Sequence, residues 1–372
     1  MNRIKSLDGI RALSILMVLL GHASETLSAT VSHNMIFHFI ANSPLGVKIF
    51  FVISGYLITK LLLKERAKTG SIDIKDFYLR RIFRIFPVFY LYIAVVIIIK
   101  VFFVHDIFTN YSLVGFASIY LWNYQGLLHT TIGQDNGYWF FGHFWSLSME
   151  EQFYMLWPIF FLTLRSISLK KIVIGIIVIM PVIRICTYFL MPNSRGQIGM
   201  MLQTGGDSIL FGCLGALIEN SSDFENKWMK IIRNKYLTSA SAIFLFILSP
   251  ILSMRFKGAY DLIFGMSINN VCIMILIFWC IYIPSKFANF LNTKPLMHIG
   301  ILSYSLYIWQ QLFLTNIYSS WVNRFPQNLL LVFVVATVSY YFIEKPILGI
   351  KKRLKNNSKT SDLTPDVISP MI

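Results

Sequence analysis

The feature that most constrains this chain is the length of its apolar runs. Stretches such as "VFYLYIAVVIIIKVFFV" and "IVIGIIVIMPVI" carry almost no polar interruption. The hydrocarbon core of a bilayer is about 30 Å thick, and a helix of about 20 apolar residues crosses it. Only helices and closed barrels satisfy their backbone polar groups there. Barrel strands alternate at period two, whereas these runs are continuous. Composition agrees: 56% of the 372 residues are hydrophobic and 13% charged, about half the charge of a soluble domain. The expected fold class is all-α, a polytopic membrane helical bundle.

Ten spans are expected, at about 7–24, 46–63, 86–104, 145–164, 172–190, 202–219, 237–254, 259–283, 298–318 and 328–344. With the N-terminus inside, and leaving out Lys64 at a helix end, the inner connections hold 23 Lys and Arg and the outer ones hold 4. That bias puts both termini in the cytoplasm. It also decides segment 111–125, "YSLVGFASIYLWNYQ". Making it a span would invert every later loop and spoil the bias, so it reads as re-entrant or interfacial on the outer side. The membrane unit then covers 1–350, and the polar tail 351–372 reads as a disordered cytoplasmic extension. The first apolar run has no small-residue cleavage site and reads as a retained helix.

Several functions are excluded. The net charge of +16 lies in short segments between apolar runs, the membrane pattern and not a nucleic-acid face. The four cysteines sit in apolar runs and form no CxxC, so they signal neither disulfide nor zinc. The histidines lack metal-ligand spacing, and no nucleophile-elbow or phosphate-loop motif is present.

Charged residues within spans are costly and mark function or pairing. Arg11 and His22 are eleven residues apart on the first span, which puts them on one helix face about 16 Å apart. Either the two share a task, or Arg11 snorkels to lipid phosphates while His22 bonds a neighbouring helix. Arg80, Arg81 and Arg84 cluster at the cytoplasmic mouth of the third span, where they suit an anionic ligand or a membrane anchor. Glu150 and Glu151 enter the fourth span near its outer end. Adjacent helical residues diverge by about 100°, so one carboxylate can face a cavity while the other faces headgroups. Gly46, Ser54 and Gly55 allow close helix contact. Asp207 reads as a helix cap, and Glu344 as a partner for Lys345 or an inner arginine.

Taken together, "LDGIRALSILMVLLGH", "GVKIFFVISGYLIT", "FYLRRIFRIFPVFYLY", "HFWSLSMEEQFYMLWP", "GDSILFGCLGALI", "LSYSLYIWQQLF" and "FIEKP" resemble acyltransferase family 3 in order and over nearly the whole chain. The resemblance implies a bundle of about ten helices in the bacterial cytoplasmic membrane. It implies O-acetyl transfer from cytoplasmic acetyl-CoA to a hydroxyl of a cell-surface polysaccharide or lipid-linked glycan, with no metal. His22 matches the catalytic histidine, acting as general base on the hydroxyl or as carrier of the acyl group, and Arg11 belongs to the same pair. Glu150 or Glu151 matches an acidic position. Arg81 and Arg84, with Arg80 beside them, match the donor-side arginine motif, and Glu344 matches a C-terminal acidic position. Two positions depart from the family: Gln310 stands where many members have histidine, and Gly205 where arginine is common. Some relatives carry a further extracytoplasmic hydrolase-like domain; here transfer is expected within the membrane part or on a separate partner. Trp122, Tyr124, Trp139 and Trp145 would stack on a sugar or form an interfacial belt. Another acyl donor, such as succinyl-CoA, and a glycan-precursor transporter or flippase are the competing readings.

Overall fold

The computed structural model describes residues 4–32, 34–128, 135–164, 166–256 and 258–350. The tail 351–372 and its expected disorder lie outside the described residues. Among the described residues there are helices and no strands. The long elements are α1 (Lys5–Ala23), α2 (Ser43–Thr69), α3 (Ile74–Phe102), α4 (Phe144–Thr163), α5 (Ser166–Leu190), α6 (Asp207–Glu219), α7 (Lys235–Phe256), α8 (Asp261–Tyr282), α9 (Lys294–Phe313) and α10 (Gln327–Ile350). Each expected span falls on one of these.

Local sequence sets the ends. Asn42 caps α2 by accepting the Leu45 N–H at 3.0 Å, and Gly70 closes it in a left-handed conformation at φ 74°. Asp73 caps α3 by accepting the Asp76 N–H at 2.8 Å. These side chains satisfy donors that a helix start leaves open.

Among the described residues, seven helices are long and apolar enough to cross a membrane: α1, α2, α3, α5, α7, α8 and α10. Their outward residues are large and apolar, among them Ile98, Val178, Phe189, Ile247, Phe264, Leu330 and Phe342, as lipid contact requires. The other three are more polar or shorter. α4 carries Glu150, Glu151 and Gln152, and α9 carries Ser303, Ser305, Gln310 and Gln311, which are mostly buried. α6 has only 13 residues, about 20 Å of helix, but every residue from Asp207 to Ile218 is buried. A short helix at membrane depth is tolerable when protein surrounds it.

α6 packs on α2 backbone to backbone. A β-carbon on Gly55 would stand 1.9 Å from the Ile209 carbonyl oxygen, and one on Gly212 would stand 2.0 Å from that of Val52. Gly55, one of the small residues of "ISGYL", is therefore required by helix contact. α1 lies between α2 and α9, which sets its Arg11–His22 face against α9.

Segment 111–125 does not form a membrane-length helix. It folds as a helix of 7 residues, Ser112–Ser118, followed by Tyr120 at φ 56° and a short turn at Trp122–Tyr124. Tyr120 stacks on Phe89 of α3 with ring centroids 4.3 Å apart, and Asn123 donates to Gln152 of α4 at 3.0 Å. The segment thus packs inward against α3 and α4, in keeping with a re-entrant element.

Candidate active site

α1 presents both of its ionisable groups to α9. Arg11 donates from Nη2 to Ser303 Oγ at 3.0 Å, and His22 Nδ1 lies 3.1 Å from Gln310 Oε1. Ser303 and Gln310 are seven residues apart, about two helical turns, so one stripe of α1 meets one stripe of α9. The helical spacing of Arg11 and His22 is realised as a shared face.

A cavity of about 130 Å³ surrounds Arg11, lined also by Arg81, Arg84, Glu150, Glu151 and Tyr154. The Arg81 guanidinium lies over the Tyr154 ring at 4.0 Å, a cation–π contact that orients its plane. Glu150 accepts from Ser54 and Tyr154. Glu151 is buried in the same lining, so neither carboxylate turns to the headgroups. Both stand about two turns into α4. Glu344 ends a π-helical turn, Tyr340–Glu344, and accepts from Ser305 of α9. Arg84 and Arg11 are near enough to act on its charge. Arg80 is elsewhere: it pairs with Asp76 and, at 3.1 Å, with Glu65. It is absent from the cavity lining.

A second cavity, of about 710 Å³, lies at the His22 end. His143, Trp145, Lys48, Asp261 and Gln311 line it with His22. Val47, Phe51 and Tyr307 line both cavities. The Tyr307 hydroxyl donates to the His143 carbonyl at 3.0 Å, tying α9 to the start of α4 at that junction. The aromatics divide their tasks. Trp139 meets the His22 ring edge-on at 6.0 Å and donates to the Gln311 carbonyl at 3.0 Å. Trp145 lines the second cavity. Trp122 is core, packed on Tyr138 and Phe141. Tyr124 donates to Gln203 at 2.6 Å.

Sequence reasoning missed several partners. Ser303 and Ser305 serve Arg11 and Glu344, and Ser54 serves Glu150 through its hydroxyl as well as its small size. Asp207 does not cap α6: it is the first helical residue, and Gly206 stands at the cap. Its carboxylate instead pairs with Arg184 of α5, which is fully buried and also donates to the Thr204 carbonyl at 2.7 Å. Among the described residues, no group of three His, Cys, Asp or Glu side chains could hold a metal.

Comparison with known proteins bears on this arrangement. The acyltransferase domain family matches residues 4–344. The peptidoglycan O-acetyltransferase OatA of Listeria monocytogenes is 28% identical, over 92% of this chain and 56% of its own length. The O-acetyltransferase OatA of Staphylococcus aureus is 30% identical, again over 92% of this chain and 56% of its own length. The chain therefore spans about half the length of these relatives. No solved structure matches. With seven membrane-length helices and a match that runs through nearly the whole bundle, the chain is a multi-pass membrane protein and belongs to acyltransferase family 3.

Proposed function

We propose that the chain is an O-acetyltransferase that carries an acetyl group from cytoplasmic acetyl-CoA to a hydroxyl of a cell-wall polysaccharide outside. The observation that supports this best is the meeting of two unlike cavities at Val47, Phe51 and Tyr307. One is rich in arginine and the other holds His22. In this reading all ten long helices span the bacterial cytoplasmic membrane, with both termini inside, as the Lys and Arg distribution favours.

Each residue then has a task. Arg81 and Arg84 hold the donor's phosphates, because guanidinium groups bind phosphate oxygens in a fixed fork. Arg11 lines the path of the pantetheine arm, and Ser303 holds its guanidinium in place. The Glu150 and Glu344 carboxylates balance the arginines while no donor is bound. At the far cavity, His22 donates from Nδ1 to Gln310 Oε1, which leaves Nε2 as the ring atom that accepts a proton. Nε2 takes the proton of the acceptor hydroxyl as its oxygen attacks the thioester carbonyl. The carbon–sulfur bond breaks, and the proton passes from His22 to the departing thiolate. The names of the relatives favour acetyl as the group transferred and a wall glycan as acceptor.

The test compares wall glycans by mass spectrometry from cells making the native chain or its His22→Ala variant. The expected result is an alkali-labile acetyl ester with the native chain alone, at equal membrane levels of both proteins. Full acetylation by His22→Ala contradicts the role given to His22.

A further inference from the structure

The second cavity holds polar groups that this chemistry does not use. Lys48 of α2 and Asp261 of α8 both line it. Among the described residues, Lys48 forms no ion pair within 4.0 Å, although Asp261 is the carboxylate acting on it most strongly. Asp261 is held in place by a hydrogen bond from Ser253. Two opposite charges thus face one space without closing on each other. Around them, Asn269 Oδ1 and Gln311 Oε1 are buried without a hydrogen-bond partner. These two side chains are 6% and 4% exposed and line the same cavity. Buried polar atoms are nearly always paired, and a cluster of exceptions calls for a ligand or water.

The chemistry of the lining narrows the ligand. Asp261, Asn269 and Gln311 offer oxygen acceptors, which suit several O–H or N–H donors on one molecule. Lys48 offers one ammonium group with three N–H donors. The local charges also cancel, Lys48 and Arg184 against Asp261 and Asp207, which act on one another. A net charge on the ligand would gain nothing there.

We propose that Lys48, Asp261, Asn269 and Gln311 form a sugar-binding subsite beside His22, in which one uncharged, hydroxyl-rich ring bridges Lys48 and Asp261. This rests on the reading of the second cavity as the acceptor side. It adds the residues that select the acceptor and the rejection of anionic glycans. Lys48 and Asp261 are specificity residues, not catalytic ones.

The test is binding and not transfer, so it stands apart from the chemistry. The purified full chain carrying His22→Ala is titrated with a chitin tetrasaccharide or a tetragalacturonic acid, and binding is followed by tryptophan fluorescence, since Trp145 lines the cavity. The uncharged probe is expected to bind saturably and more tightly than the anionic one. Lys48→Met and Asp261→Asn should each weaken it at least about tenfold, the loss of about 1.4 kcal/mol. Lys48→Arg should keep most of the affinity. Asn269→Ala, a milder change, should weaken binding in a protein that stays monodisperse in detergent, which separates site loss from misfolding. Unchanged affinity in all of these variants, tighter binding of the anionic probe, or no saturable binding by the native cavity would overturn the proposal. The last outcome would leave the unpaired groups to water only. Binding that behaves as expected while the native chain transfers no acetyl group would count against the catalytic reading and leave the subsite standing.

Discussion

His22 Nδ1 stands 3.1 Å from Gln310 Oε1, and this contact fixes the ring of α1 against α9. Glutamine cannot relay a proton at neutral pH. In the proposed mechanism the proton taken by His22 therefore leaves by way of the substrates, and Gln310 sets the tautomer.

Replacing Gln310 should separate orientation from folding. Interhelical hydrogen bonds within membranes contribute about 0.6 kcal/mol on average, so Gln310→Leu should leave the bundle intact. It should lower the transfer rate about tenfold or more, with little change in either KM. Gln310→Glu keeps an acceptor oxygen and should retain more activity than Gln310→Leu. Steady-state kinetics on the purified protein checks both. Equal loss in the two variants would show that the oxygen is not what matters.

The arginine cluster makes a sharper distinction. Arg81 and Arg84 line the cavity and Arg80 does not. Arg81→Ala and Arg84→Ala should each raise the donor KM about tenfold, the loss of one charge-assisted contact. Arg80→Ala removes only its partly exposed pairs with Glu65 and Asp76, and such pairs are worth about 0–1 kcal/mol. Its donor KM should stay unchanged. Three equal effects would return the cluster to an anchoring role.

The Arg184–Asp207 pair is a matter of stability. Both side chains are about fully buried, at 0% and 1% exposure. Removing one partner leaves a charge with no counterpart, at a cost of about 3–5 kcal/mol. Arg184→Leu or Asp207→Leu should therefore lower the thermal midpoint in detergent strongly. The double variant should recover much of the loss, because a well-packed apolar pair is often as stable as a buried ion pair. An additive double variant would show that the two groups act independently.

Asp135 ties the connection between α3 and α4 at the His22 end. Partial burial alone would push its pKa up. Bonds from the Thr109 hydroxyl and from the N–H groups of Gly137, Thr109 and Asn110 outweigh that, and it lies below the usual aspartate value. A lowered folded pKa contributes stability that is complete above the unfolded value, about 3.9, and is lost as pH falls through the folded one. The anchor should hold from neutral pH to about pH 4 and release below it. Hydrogen exchange at Thr109 and Asn110 should rise in Asp135→Asn at neutral pH, and in the native chain only in strong acid.

Much of this was legible in the sequence, for physical reasons that can be named. The 3.6-residue period put Arg11 and His22 on one face before any partner was known. The Lys and Arg bias of the later loops argues against a span at 111–125, and the chain breaks there at Tyr120. Partners across helices were another matter. Ser303 lies 292 residues from Arg11, and Gln310 lies 288 from His22, distances over which no local rule operates. Asp207 invited a capping assignment because it opens a helix, yet Arg184 on the preceding long helix claims its carboxylate. Arg80 and Arg81 were inseparable in the sequence. The reach of Glu65 across to α3 is what parts them.

The central claim is that an acetyl group passes from a donor on one side of the membrane to a hydroxyl on the other with His22 as the base. Sealed vesicles containing the protein, loaded with acetyl-labelled acetyl-CoA at the face of the arginine cavity, with a wall-glycan acceptor outside, test it directly. The expected result is labelled glycan outside with the native chain and none with His22→Ala. Label that appears only when donor and acceptor share one side, or at the native rate without His22, would contradict it.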